Sequence, residues 1–209
     1  MPPPPILKIA EVFPSFQGEG LRQGEATVFV RFSGCNLKCA FCDTKYAWSG
    51  GCICSPPQVM DTIKKIRRHF PAGWVCLTGG EPLLQDIAEL VHLLKKEKLN
   101  IQMETNGTLY RPLAVDWYSL SPKPEKYFYQ REYRAKAREV KLVITRMLTL
   151  DVIKKLRREF PSQTPLLLQP QSNKKWSAAR GLALLTQAVQ EGLDNIRISC
   201  QLHRFYGFR

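Results

Sequence analysis

The residues most able to do chemistry gather in the stretch SGCNLKCAFCDT, Ser33 to Thr44. Three cysteines, Cys35, Cys39 and Cys42, stand there as C-x3-C-x2-C, directly after the strand-like run ATVFVRFS and behind Gly34, which opens the loop. In a chain expected to stay in a reducing compartment, clustered thiols point to a metal or redox site before they point to disulfides. Zinc usually takes four ligands, often as two C-x2-C pairs, and no fourth is obvious here. A [4Fe–4S] cluster has four irons and usually four thiolates. Three thiolates in one tight loop would leave one iron open to chelate a small molecule. Phe41, between Cys39 and Cys42, is suited to shielding such a cluster. The competing reading is a structural zinc knuckle with a distant fourth ligand such as Cys52 or Cys54; otherwise that pair belongs to a local loop. Cys76 and Cys200 lie in apolar strand-like runs, where a thiol is ordinarily a small buried hydrophobe.

The elements that must hold this loop alternate in kind. Runs rich in Val, Ile, Leu and aromatics predict strands at about 26–33, 74–78, 100–104, 116–121, 139–145, 165–169 and 195–201. Between several of them the apolar spacing is helical. Ser55 and Pro56 make an N-cap and first-turn pair ahead of Val59, Ile63 and Ile66. Ile87, Leu90, Val91 and Leu94 repeat that spacing, as do Val152, Ile153 and Leu156, and a further helix spans about 175–191. Such alternation predicts an α/β fold with a parallel sheet. It is incomplete: no convincing helix lies between 104 and 116, and 122–139 is a charged aromatic segment. The expectation is a partial, helix-poor barrel or curled sheet with its site at the C-terminal strand ends.

At 209 residues the chain is expected to form a single domain, 1–209. No apolar run approaches the ~20 residues of a membrane span, and no basic region followed by an apolar stretch marks a signal peptide. A soluble, cytoplasmic protein is expected. The net charge of +13 admits an anionic substrate or nucleic acid as partner. Much of that charge sits in the helical patterns VMDTIKKIRRHF and LDVIKKLRREF, where a solvated helix face accounts for it.

Further motifs follow the cysteines in order. TGGEP, Thr78 to Pro82, ends the second strong strand, and its two glycines let a ligand approach the backbone closely. SPK (Ser121 to Lys123) and LQPQS (Leu168 to Ser172) end two later strands. In this order the motifs resemble the radical S-adenosylmethionine (SAM) superfamily. FPSFQGEG before the first strand, CDT, METNGT, and CQLHRFYGFR after the last strand resemble one family within it, the 7-carboxy-7-deazaguanine synthases.

The resemblance implies a helix-poor (β/α)6-type barrel with a C-terminal extension strand. It implies a radical SAM carbon–nitrogen lyase that contracts 6-carboxy-5,6,7,8-tetrahydropterin to 7-carboxy-7-deazaguanine, a step toward queuosine- and archaeosine-type nucleosides. SAM would be regenerated in each cycle, and no side chain beyond the cofactor radical would be catalytic. Cys35, Cys39 and Cys42 would hold the [4Fe–4S] cluster, and Thr44 of CDT a Mg2+. Gly80, Glu81, Ser121, Pro122, Lys123, Gln169, Pro170, Gln171 and Ser172 would contact SAM. Phe16, Gln17, Gly18, Glu19, Arg31, Thr78, Glu104, His203 and the main chain of Arg209 would contact the pterin, under a tail that closes over the site. A flavodoxin- or ferredoxin-type reductant and a homodimer are implied; a membrane is not, and nucleic acid is disfavoured. Arg204 replaces the lysine more usual in that tail. Two other readings remain: an activase that raises a glycyl radical on a partner protein, and a basic RNA-binding protein with a metal knuckle.

Overall fold

The computed structural model describes residues 6–208. The chain falls into two units: the first holds residues up to Phe16, Glu25–Thr105 and Leu109–Trp117, and the second holds Gln17–Gly24, Asn106–Thr108 and everything from Tyr118 on.

The first unit opens on β1 (Leu7–Phe16), followed by β2 (Ala26–Phe32), β3 (Cys52–Cys54), α1 (Pro56–Arg67), β4 (Trp74–Gly79), α2 (Ala88–Lys96) and β5 (Asn100–Thr105). The strands lie in the order β3-β1-β2-β4-β5. β1 is antiparallel to both β2 and β3, whereas β2, β4 and β5 run parallel. Val28, Phe29 and Val30 of β2 are all buried, as are Val75, Cys76 and Leu77 of β4. That is the continuous apolar run of a parallel strand covered on both faces. Cys76 is thus the small buried hydrophobe its run suggested. α1 begins at a capping box: the Gln58 amide donates to Ser55 Oγ at 3.4 Å, and the Ser55 amide donates to Gln58 Oε1 at 2.8 Å. Its Val59, Met60 and Ile63 are buried, and it packs on β1 and α2.

The second unit comprises β6 (Trp117–Leu120) from Tyr118 on, α3 (Tyr133–Lys136), β7 (Ala137–Ile144), α4 (Leu150–Glu159), β8 (Leu166–Pro170), α5 (Lys175–Gln190), β9 (Ile196–Ile198) and α6 (Leu202–Tyr206). Strands β6 to β9 run parallel in chain order. α5 lies over β7, β8 and β9. A Cβ at its Gly181 would stand 2.5 Å from Ile144 Cδ1, so a larger residue there would have to displace that side chain. The charged aromatic segment folds around Tyr133, fully buried and edge-on to Tyr118 at 5.6 Å.

Parallel strands with few helices meet the expected fold class, but four local expectations need correction. β1 was not foreseen. Its Leu7, Ile9 and Phe13 are buried, but Pro14 breaks the visible alternation; it lies beyond the Leu7–Ile9 segment that β3 covers, where an edge strand tolerates it. Cys52 and Cys54 sit on β3, not in a loop, because Leu7 and Ile9 offer them a strand to pair with. The strand expected at 195–201 is only Ile196–Ile198; beyond it the Gln201 amide turns to Asn173 Oδ1 at 3.2 Å. The tail, for which no helix was expected, forms α6, whose Phe205 and Tyr206 are exposed.

Candidate functional site

In the first unit the cysteine loop leaves β2 at Gly34, whose φ of +102° lies in the left-handed region that favours glycine. The Gly34 amide donates to the Ala47 carbonyl at 2.9 Å, closing the loop over a 3-10 turn at Lys45–Trp48. Inside it the Cys42 amide donates to the Cys39 carbonyl at 3.0 Å, and the Thr44 amide donates to Cys42 Sγ at 3.4 Å. Cys35, Cys39 and Cys42 are half-buried thiols. Three soft donors in one braced loop suit an iron–sulfur cluster. Cys52 and Cys54 stand elsewhere, on β3; burial, then the neighbouring Cys52, pushes the Cys54 thiol up, which disfavours the thiolate a metal requires.

The TGGEP strand end is locked to this loop. The Gly80 amide donates to the Phe32 carbonyl at 3.0 Å, and the Glu81 amide to the Gly34 carbonyl at 2.8 Å. A Cβ at Gly80 would stand 1.8 Å from the Gly34 oxygen, so only glycine permits the approach. This is a backbone cradle beside the thiols, as a cluster-bound ligand would need. Glu81 is fully buried and accepts from Thr105 Oγ1 at 2.8 Å and from the Leu83 amide at 3.3 Å. Thr78 Oγ1 donates to Glu104 Oε2 at 3.0 Å, which joins two of the expected pterin contacts.

Arg31 is half-buried and ion-paired: its Nε meets Glu11 Oε1 at 2.7 Å, and its guanidinium lies against the rings of Phe13 and Tyr46. Tyr46 also donates to Glu11 Oε1 at 2.6 Å. The fork is therefore held in place by Glu11 and Tyr46, neither of which the sequence singled out. Thr44 Oγ1 donates to Asp43 Oδ1 at 2.9 Å, a pair of hard oxygens that suits Mg2+. Phe16 is 45% exposed, edge-on to Phe70.

In the second unit the QGEG head meets the tail. The buried Gln17 accepts from the Glu19 amide at 3.1 Å through its side-chain oxygen. A Cβ at Gly18 would lie 2.4 Å from His203 Nδ1, so the imidazole rests against the glycine. Glu19 is gripped on both oxygens: Lys141 Nζ donates to Oε2 at 2.8 Å and Gln201 Nε2 to Oε1 at 2.7 Å. Burial pushes the Glu19 carboxyl up, but the charge and hydrogen bond of Lys141, with Gln201 and His203, outweigh it and hold it at about 2.

At the later strand ends, Lys123 Nζ donates to Ser121 Oγ at 2.6 Å beside the buried Pro122. Gln169 is 5% exposed, and its Oε1 has no hydrogen-bond partner among the described residues. A buried orphan acceptor at the end of β8 suits a polar ligand such as SAM. Pro170 closes β8; Gln171 donates its amide to Ser177 Oγ at 2.8 Å; Ser172 adopts a left-handed φ of +49°. Arg209 lies outside the described residues.

Sequence reasoning missed Lys141, Glu139 and Asn173, and gave Gln201 of the tail motif no role. The first two carried a signal: in EVKLVIT a glutamate and a lysine stand two apart on one face of an otherwise apolar strand. Asn173 carried none, because its clamp on Gln201, accepting from the amide and donating to the carbonyl at 3.0 Å, is a long-range contact.

The Radical SAM superfamily matches residues 29–176. The 7-carboxy-7-deazaguanine synthase of Aquifex aeolicus is 31% identical over 98% of this chain and 95% of its own length. That of Synechocystis is 32% identical over 96% of this chain and 93% of its own. The crystal structure of QueE from Escherichia coli superposes with a TM-score of 0.78 at 26% identity, covering 95% of each chain.

Proposed function

This chain belongs to the radical SAM superfamily and, within it, to the 7-carboxy-7-deazaguanine synthases, and from that premise we propose how its residues serve that synthesis. The substrate is 6-carboxy-5,6,7,8-tetrahydropterin, and the products are 7-carboxy-7-deazaguanine and ammonia. The observation that carries the reading is the braced triplet of thiols, Cys35, Cys39 and Cys42, interlocked with the Gly80 strand end.

When bound, the reduced [4Fe–4S] cluster and SAM supply the carbon radical that starts the rearrangement; the hard chemistry is theirs. The three cysteines hold the cluster. The Gly79–Glu81 backbone, Ser121 to Lys123 and Gln169 to Ser172 hold SAM. Arg31, oriented by Glu11, offers its planar fork to the pterin carboxylate. Thr44, with Asp43, would offer hard oxygens to a Mg2+. Phe16, Gln17, Gly18, Thr78, Glu104 and His203 recognise the heterocycle, whose edge alternates donors and acceptors, and the Arg209 main chain joins them.

The chain works as one radical SAM domain. It acts in the cytoplasm, as a homodimer, with a flavodoxin- or ferredoxin-type donor. Among the described residues no helix is long and apolar enough to cross a membrane. Anaerobic incubation of the reconstituted protein with dithionite, SAM and the pterin tests the proposal. Pterin consumption with release of 7-carboxy-7-deazaguanine supports it. Deoxyadenosine formation that requires a partner polypeptide would favour an activase, and no SAM cleavage at all would favour a binding protein.

A further inference from the structure

We propose that Lys141 is a positioning residue for the pterin: it fixes Glu19 and thereby bolts the Gln17–Gly18 head to the His203 tail. The inference rests on the pterin reading above, and the observations behind it are geometric.

Lys141 and Glu139 stand two apart on β7 and therefore share a face. Both are almost fully buried. Glu139 accepts from Ser119 Oγ at 2.7 Å and from the Leu21 amide at 2.7 Å. It thereby holds the 3-10 turn Gly20–Arg22. Gly20, at φ +73°, is the residue that lets it in, since a Cβ there would stand 2.3 Å from Glu139 Oε1. Lys141 completes the grip one residue upstream, on Glu19 Oε2.

The other oxygen of Glu19 accepts from Gln201, 182 residues away in the chain and two before His203. Two further bonds follow the same seam. The Leu202 amide donates to the Gly18 carbonyl at 2.8 Å, and Gln23 Nε2 donates to the Cys200 carbonyl at 2.6 Å. The His203 imidazole then lies against the bare Gly18 Cα. Head and tail, which carry separate sets of substrate contacts, meet in one register through Glu19.

A buried ion pair is a poor device for stability alone. Desolvation consumes most of its attraction, and apolar pairs of similar size often do as well. Its physical advantage is directional: a lysine and an amide accept only one placement of the carboxylate between them. Lys141 touches neither substrate nor cofactor in this account; it acts through Glu19 and Gln201.

The test uses the reconstituted holoenzyme carrying Lys141→Met, and Glu19→Gln/Lys141→Met as the variant that strands no buried charge. The expected result is a pterin KM raised at least ~10-fold, with iron content and pterin-independent deoxyadenosine formation unchanged. Hydrogen exchange at the Leu202 amide should accelerate in both variants, a readout independent of turnover. If Lys141→Met does not fold, the Leu202 amide of the double variant decides, because its KM also registers the Glu19 carboxylate. A double variant with wild-type KM and wild-type Leu202 protection would overturn the proposal and leave Lys141 a packing residue. Should the wild type itself fail to consume the pterin, the functional reading falls, and the Leu202 amide alone then decides the bolt: unchanged protection refutes it.

Discussion

Replacing Gly80 with alanine should empty the cluster site. The new Cβ would stand 1.8 Å from the Gly34 oxygen, 2.4 Å from its carbonyl carbon and 3.1 Å from the Cys35 nitrogen. All three atoms are backbone, so no side chain can swing aside. Restoring an ordinary carbon–oxygen contact requires the two segments to part by more than about 1 Å. That separation strains the Glu81 amide bond to Gly34 and the Gly80 amide bond to Phe32. Each buried hydrogen bond left unmade costs about 1–3 kcal/mol, so the substitution should cost about 2–6 kcal/mol. The shift also moves Cys35 itself. Gly34→Ala is the matched control: a Cβ there meets nothing within 4 Å, and only its φ of +102° opposes the change. Left-handed strain of that kind costs about 1–3 kcal/mol. Iron per chain after anaerobic reconstitution, read beside thermal unfolding of the apoprotein, is the assay. Gly80→Ala should lose most of its iron and more stability than Gly34→Ala. Equal iron in wild type and Gly80→Ala would refute the argument that the strand end braces the thiol loop.

Three further outcomes follow from the same geometry. A Cys52→Ala/Cys54→Ala variant should keep about four irons per chain, whereas Cys39→Ala should lose them, since only three thiols share the braced loop; iron analysis decides. Thr44→Val keeps shape but removes a hard oxygen, so it should blunt the rise in turnover with Mg2+, and an unchanged Mg2+ titration would exclude the role. Glu19 titrates at about 2 in the folded chain against an ordinary 4.5. A carboxyl lowered on folding stabilises fully above its unfolded value and loses that contribution as pH falls toward its folded one. About 3 kcal/mol should therefore disappear between pH 4.5 and 2 in the wild type. Urea unfolding of Glu19→Gln should show a flatter profile across that window, and parallel profiles would contradict the ion pair.

What the sequence revealed depended on the range over which each feature is encoded. The parallel strands and their helices are written locally, in apolar runs and in caps such as Ser55 with Pro56, and they fold where the spacing put them. The thiol loop was equally legible, because its three cysteines lie within one short stretch of chain, Cys35 to Cys42. β1 was hidden because its partner β2 and its edge partner β3 supply the pairing that its own pattern, interrupted by Pro14, does not announce. The reason for each glycine was hidden too. Gly18 and Gly80 read as ligand contacts and Gly20 only as part of the head motif, yet in the fold they answer in turn to His203, Gly34 and Glu139. The grip on Glu19 joins β7 and the tail, contacts that no local window contains.

The most direct test of the central claim is a count of turnovers with SAM limiting. Reconstituted protein, dithionite, Mg2+, excess 6-carboxy-5,6,7,8-tetrahydropterin and a measured, substoichiometric amount of SAM are combined without oxygen, and 7-carboxy-7-deazaguanine and ammonia are quantified against SAM. The account predicts equal amounts of the two products, each exceeding the SAM supplied. An intact cluster with SAM bound but no 7-carboxy-7-deazaguanine formed would contradict it.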